Sequence, residues 1–210
     1  LGLSYETFVI MPDSKGKYYF SPDNKPLITL FKTWGIRNLR IGGNSVDAPV
    51  FPVPEEKDVR TFFEFAKAVG VNVIYSLRLQ DGDPQYAARI ARTIRECNEG
   101  TLQYFSIGNE PGYYKDYNVY STKWIAIRNA ILGEFPEALF CGPDQNPSPE
   151  LCQKMIRDFS NDSGRLAMIT QHSYPMGCSY KNPGKDVSKM IPRDAAKSRE
   201  KMLSPDIWDK

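Results

Sequence analysis

The stretch Ile107-Gly108-Asn109-Glu110-Pro111 sets an acidic side chain beside an amide, on a turn closed by a proline. A carboxyl group that protonates a glycosidic oxygen needs an enclosed site near a second carboxylate. Asn109 can hydrogen-bond a sugar hydroxyl next to the reacting carbon, a contact that strengthens in the transition state. Pro111 lacks a backbone donor and fixes the turn. A retaining pair of carboxylates must lie about 5 to 5.5 Å apart, an inverting pair about 6.5 to 9.5 Å. Glu6, Asp47 and Asp144 are the carboxylates that could stand opposite Glu110, and Glu6 is the foremost of them, because its strand could face Glu110 across a barrel mouth.

These residues need elements to carry them. Strand-like runs at Leu3–Ile10, Ile36–Ile41, Val71–Leu77, Leu102–Ile107, Ala138–Cys141 and Leu166–Thr170 recur about every 30 to 35 residues, the length of one βα unit. Val71-Asn72-Val73-Ile74-Tyr75 is apolar at nearly every position, as in a strand covered on both faces. Between the runs, apolar residues recur at helical spacing. Pro54 with Glu55, Glu56 and Asp58 opens one helix, which carries Val59, Phe62, Phe63 and Ala66 and ends near Gly70. Asp83-Pro84 caps and opens the next; Tyr117–Phe135 and Pro149–Phe159 form two more. No G-x-G-x-x-G follows a strand, and Gly42-Gly43 leads into a long polar loop. The expectation is α/β: the N-terminal six βα units of a (β/α)8 TIM barrel, an incomplete barrel filling residues 1–210.

In such barrels chemistry gathers at the C-terminal strand ends. The polar clusters fall there: Glu6; Arg40 to Asp47; Arg78, Gln80 and Asp81; Asn109 to Tyr114; Asp144 and Gln145; and Gln171-His172-Ser173-Tyr174. His172 at a strand end favours a site role over a core one. Asp47 is expected to pair with Arg40. Asp144 either bonds nearby backbone as a turn residue or faces the site. Tyr113 and Tyr114 either stack on sugar rings or cover the rim. Trp34 and Trp124 fall on helical patterns and are expected to pack. Lys115, Lys181 and Lys185 read first as solvated surface.

The 210 residues are 41% hydrophobic and 25% charged, enough to bury a sizeable core. A net charge of +2 gives no electrostatic case for nucleic acid. No apolar run approaches the roughly 20 residues of a membrane span. One histidine and four irregularly spaced cysteines give no zinc pattern, so no metal or organic cofactor is expected. Cys97 and Cys141 read as small buried hydrophobes. The segment from Tyr180 to Lys201 reads as a loop leading into a solvated helix. The chain opens inside a strand-like run without Met, stops without a tapering tail, and reads as a fragment.

The blocks Gly2-Leu3-Ser4-Tyr5-Glu6, Leu39-Arg40-Ile41-Gly42-Gly43-Asn44-Ser45-Val46-Asp47, Ile107-Gly108-Asn109-Glu110-Pro111, Cys141-Gly142-Pro143-Asp144 and Gln171-His172-Ser173-Tyr174 resemble glycoside hydrolase family 79, which holds β-glucuronidases and heparanases. Asn-Glu-Pro marks only the wider superfamily; the Gly-Gly-Asn-Ser and Gly-Pro-Asp blocks narrow it. The resemblance implies a retaining β-glycoside hydrolase acting on uronic-acid linkages in a carbohydrate substrate. It makes Glu110 the acid/base and Asn109 the partner of the sugar 2-hydroxyl. Glu6, Asn44 and Ser45 would line the terminal-sugar subsite, with His172 and Tyr174 close to the nucleophile. In that family the nucleophile is a glutamate on strand seven, beyond Lys210. A secreted or periplasmic location is implied by the resemblance alone. A barrel acting on neutral sugars, or one that binds carbohydrate without cleaving it, remains an alternative.

Overall fold

The computed structural model describes residues 1–145, 148–161 and 164–172. The expectations for Ser173, Tyr174, Cys178, Lys181, Lys185 and the segment from Tyr180 to Lys201 lie outside the described residues. Six strands, β1 (Gly2–Glu6), β2 (Asn38–Gly42), β3 (Asn72–Leu77), β4 (Leu102–Ile107), β5 (Phe140–Gln145) and β6 (Leu166–Gln171), pair in parallel in chain order. Helices α1 (Lys25–Thr33), α2 (Glu56–Val69), α3 (Pro84–Cys97), α4 (Tyr117–Glu134) and α5 (Pro149–Phe159) make the crossovers. Sequential order without a reversal is that of a (β/α) barrel, not of a doubly wound sheet. The described sheet is open, with β1 and β6 at its edges.

Local chemistry sets the boundaries. The Asp83 carboxylate caps α3, accepting from the N–H groups of Gln85 (2.9 Å) and Tyr86 (3.2 Å). Asp58 accepts from the N–H of Glu55 at 2.8 Å, closing the first turn of α2, and Gly70 ends that helix at φ 85°. The first strand is shorter than expected. The Thr7 N–H leaves the ladder for Ser45 Oγ (2.9 Å), and Thr7–Ile10 turn into a 3-10 segment.

One face of the sheet meets the helices. Leu39, Ile41, Val73, Tyr75, Phe105 and Phe140 are buried in a core shared with Phe62, Phe63, Ile90, Trp124 and Ile131. Phe20, Phe31, Phe62 and Phe65 form an aromatic knot, with edge-on and tilted pairs at 5.1 to 6.4 Å. Trp124 packs as expected, stacked on Phe159 at 4.3 Å. Trp34 does not: it caps the C-terminus of α1 and is 58% exposed. The helical spacing there ran one residue past the end of the helix. Cys141 is buried, Cys97 is half-buried, and Cys97, Cys141 and Cys152 are free thiols.

Candidate active site

Because side chains alternate along a strand, the residues facing away from the helices form a separate set. On β2 this set includes Arg40, whose guanidinium gathers the strand ends. Its Nη2 donates to Asn109 Oδ1 (2.9 Å) and Asp144 Oδ2 (3.0 Å), and its Nη1 to Ser4 Oγ (3.2 Å). Ser106 Oγ donates to the same Asp144 oxygen at 2.6 Å. Burial pushes the Asp144 carboxyl up. The Arg40 charge, with hydrogen bonds from Ser106, Thr170 and Arg40, outweighs it and leaves the group below the usual carboxylate range. Asp144 is therefore neither a simple turn residue nor a spare carboxylate; it is the counter-ion of Arg40.

Asp47 does not pair with Arg40. Its Oδ1 accepts from the N–H groups of Leu79 (2.7 Å) and Gln80 (3.0 Å), and its Oδ2 from Asn109 N–H (2.9 Å) and the Tyr113 hydroxyl (3.1 Å). A buried carboxylate satisfied by four donors clamps the ends of β3 and β4 to the β2 loop. Glycine is needed at Gly108 (φ 84°): a Cβ there would lie 2.9 Å from the Leu79 side chain and 3.1 Å from Asp47 Oδ2.

Asn109 is buried and fixed on three sides: backbone to Asp47, Oδ1 to Arg40, and Nδ2 to Asn44 Oδ1 (3.2 Å). Glu110 follows, half-buried, its N–H donating to the Asp144 carbonyl at 3.0 Å. Its backbone is left-handed (φ 48°, ψ 58°) ahead of Pro111. For a residue with a Cβ this conformation costs about 1–3 kcal/mol, and it persists only where neighbours over-determine it. The Asp144 contact and the 3-10 turn Pro111–Tyr113 do so here.

Glu6 stands at the end of β1 and binds the Gly43–Ser45 turn. Its Oε2 accepts from Ser45 N–H (2.8 Å) and Ser45 Oγ (2.7 Å), its Oε1 from Asn44 N–H (3.3 Å). Gly43, at φ 79°, admits this approach, since a Cβ would fall 2.5 Å from the carboxylate. Arg78, at the end of β3, is bound to the same loop, donating to the carbonyls of Val46 (2.6 Å) and Phe51 (2.8 Å).

The structure thus joins Asn109, Asn44, Ser45 and Glu6 through direct hydrogen bonds at the C-terminal ends of β1, β2 and β4, with Glu110 next to Asn109. His172 follows Gln171, the last residue of β6, and Tyr174 lies outside the described residues. Glu6, Asp47 and Asp144 all accept hydrogen bonds from protein groups. Sequence reasoning missed Arg40 as the hub, Ser106 as a donor to Asp144, and the four donors of Asp47. A signal existed: Ser4, Arg40, Ser76 and Ser106 each sit between two apolar residues of their strands. Among the described residues no group of three or more His, Cys, Asp or Glu could hold a metal ion, and no helix is long and apolar enough to cross a membrane.

No family model matches the chain, and no curated protein matches it in sequence. Solved structures match it in fold. A monomeric β-xylosidase from Caulobacter crescentus CB15 aligns with a TM-score of 0.56 at 15% identity, covering 83% of this chain and 42% of that one. A 4-O-α-L-rhamnosyl-β-D-glucuronidase from Fusarium oxysporum 12S aligns with a TM-score of 0.59 at 16% identity, over 83% of this chain and 44% of that one. The GH53 catalytic domain of Ignisphaera aggregans aligns with a TM-score of 0.50 at 13% identity, over 83% and 59%. The chain spans about half the length of these structures, between 42% and 59%. Its six strands and the helices between them have the fold of the N-terminal portion of a TIM-barrel glycoside hydrolase.

Proposed function

We propose that this chain is the N-terminal part of the catalytic domain of a retaining β-glycoside hydrolase, with Glu110 as its acid/base. The observation that supports this most is the Asn109-Glu110 pair at the end of β4. The network of Arg40, Asp47 and Asp144 holds both residues in one backbone geometry, as transition-state contacts require. The proposed reaction needs a second carboxylate. Glu6, Asp47 and Asp144 are each bound to protein donors, so the reading assigns that role to a glutamate on a strand after β6, in a longer protein. That glutamate attacks the anomeric carbon while Glu110 protonates the leaving oxygen. Glu110 then takes a proton from the water that releases the sugar. On the family 79 resemblance, Asn109 meets the 2-hydroxyl, and Glu6, Asn44 and Ser45 line the terminal-sugar subsite.

For the substrate we propose a β-linked uronic acid, on the family 79 resemblance and on the likeness in fold to the Fusarium glucuronidase. The fold likeness to the Caulobacter xylosidase makes a neutral sugar the second reading. Turnover of aryl β-glucuronide, β-glucoside and β-xyloside by the full-length protein separates them: glucuronide turnover supports the first, and xyloside turnover alone replaces it with the second. No turnover of any, with no carboxylate on the strand after β6, would leave a carbohydrate-binding barrel. The 210 residues alone are expected to be inactive; hydrolysis by a purified 210-residue protein would refute the assignment of the nucleophile.

A further inference from the structure

Tyr113 combines features that packing alone does not call for. It is 43% exposed, yet its hydroxyl donates to the buried Asp47 carboxylate at 3.1 Å. Burial, and then the Asp47 charge beside it, push the phenol's titration well above its ordinary range, so the hydroxyl remains a donor. Tyr114 backs the ring, with centroids 4.6 Å apart and planes inclined by 39°. Tyr113 is also the last residue of the 3-10 turn that begins directly after Glu110. The oxygen that accepts its hydroxyl accepts the Asn109 N–H as well, at 2.9 Å.

An exposed aromatic ring, tethered at its polar tip and supported by a neighbouring ring, has already lost its rotamer freedom. Binding a flat apolar face against it then orders nothing further. A pyranose presents such a face through its axial C–H groups, and a tyrosine offers an apolar body for it. The turn that carries the ring is the acid's own, and the acid must reach the oxygen of the departing group. We propose that Tyr113 forms the first leaving-group subsite, stacking on the sugar ring that Glu110 releases. The inference rests on the functional reading above and adds to it the residue that selects a ring-bearing leaving group.

The test compares two substrates of the full-length protein: a disaccharide with its β-linked terminal sugar on glucose, and the methyl β-glycoside of the same terminal sugar. The terminal sugar is whichever one the aryl-glycoside screen selects. In Tyr113→Ala the ratio of kcat/KM for the disaccharide to that for the methyl glycoside falls about tenfold. In Tyr113→Phe, which keeps the ring but releases it from Asp47, the ratio falls about two- to threefold. Taking the ratio within one preparation removes any loss of folded protein. A ratio unchanged within about twofold in Tyr113→Ala, or equal losses on both substrates, overturns the subsite. If Tyr113→Ala yields no soluble protein, an unchanged ratio in Tyr113→Phe overturns it. Absence of turnover by the unsubstituted protein on every glycoside overturns the functional reading, and the subsite with it.

Discussion

The two faces of the sheet are made by the same strands under different rules. Toward the helices, Ile41, Val73, Tyr75, Phe105 and Phe140 bury apolar surface, and almost any close-packed arrangement of hydrophobic side chains would serve. On the other face, Arg40, Ser106, Asp144 and Asn109 satisfy one another through directional bonds of 2.6 to 3.0 Å. The first face tolerates substitution by shape, while the second depends on which atom donates to which. A non-directional interaction can hold a fold together; only a directional one can aim a carboxyl group.

Substitutions in the full-length protein bear on this contrast. Glu110→Gln should lower kcat by about 10²- to 10⁴-fold with little change in melting temperature. A comparable loss of stability would mean that Glu110 belongs to the structure rather than to the chemistry. Next come losses of about 3–5 kcal/mol in stability, from Phe63→Ala by opening a cavity and from Arg40→Met by leaving Asp144 buried without its cation. These two should part company with pH. The Asp144 carboxyl titrates lower in the folded than in the unfolded chain. Its contribution is therefore complete above the ordinary carboxylate range, about 3.9, and is lost as pH falls through the folded value. Once Asp144 is protonated it no longer needs a cation. Urea unfolding at about pH 7 and about pH 3 should then show the Arg40→Met deficit shrinking in acid and the Phe63→Ala deficit unchanged. Parallel behaviour would erase the distinction between the faces.

Conservative exchanges sharpen it further. Ile41→Leu should cost less than about 1.5 kcal/mol and leave kcat near its original value. Arg40→Lys keeps the charge but loses the fork that reaches Ser4, Asn109 and Asp144 together, and should reduce kcat more than Ile41→Leu does. Smallest of all, Arg92→Ala removes an exposed ion pair with Glu134 and should leave the melting temperature unchanged.

Much of the architecture was legible in the residues. Strand β4 and helix α5 were read with their observed bounds, and the Asp83 cap and Gly70 stop lie where turn chemistry puts them. Apart from Trp34, the errors fell where a distant partner intervened. β1 ends four residues early because Thr7 turns to Ser45, thirty-eight positions away. Asp47 was expected to pair with an arginine such as Arg40. Yet Asp47 lies seven residues on, past the strand end and a 3-10 turn, where the N–H groups just beyond β3 and β4 reach it.

The sequence by itself determined the alternation of strands and helices, the apolar face of each, and the placing of Asn109-Glu110 at a strand end. Periodicity and capping are local, and a chain reports its local interactions directly. Only the tertiary structure decided that Arg40 pairs with Asp144, that Asp47 holds Asn109 and Tyr113 on one oxygen, and that Glu110 sits in a left-handed turn. Those contacts join residues 62 to 104 positions apart, and a hydrogen bond has no identity until both of its ends are in place.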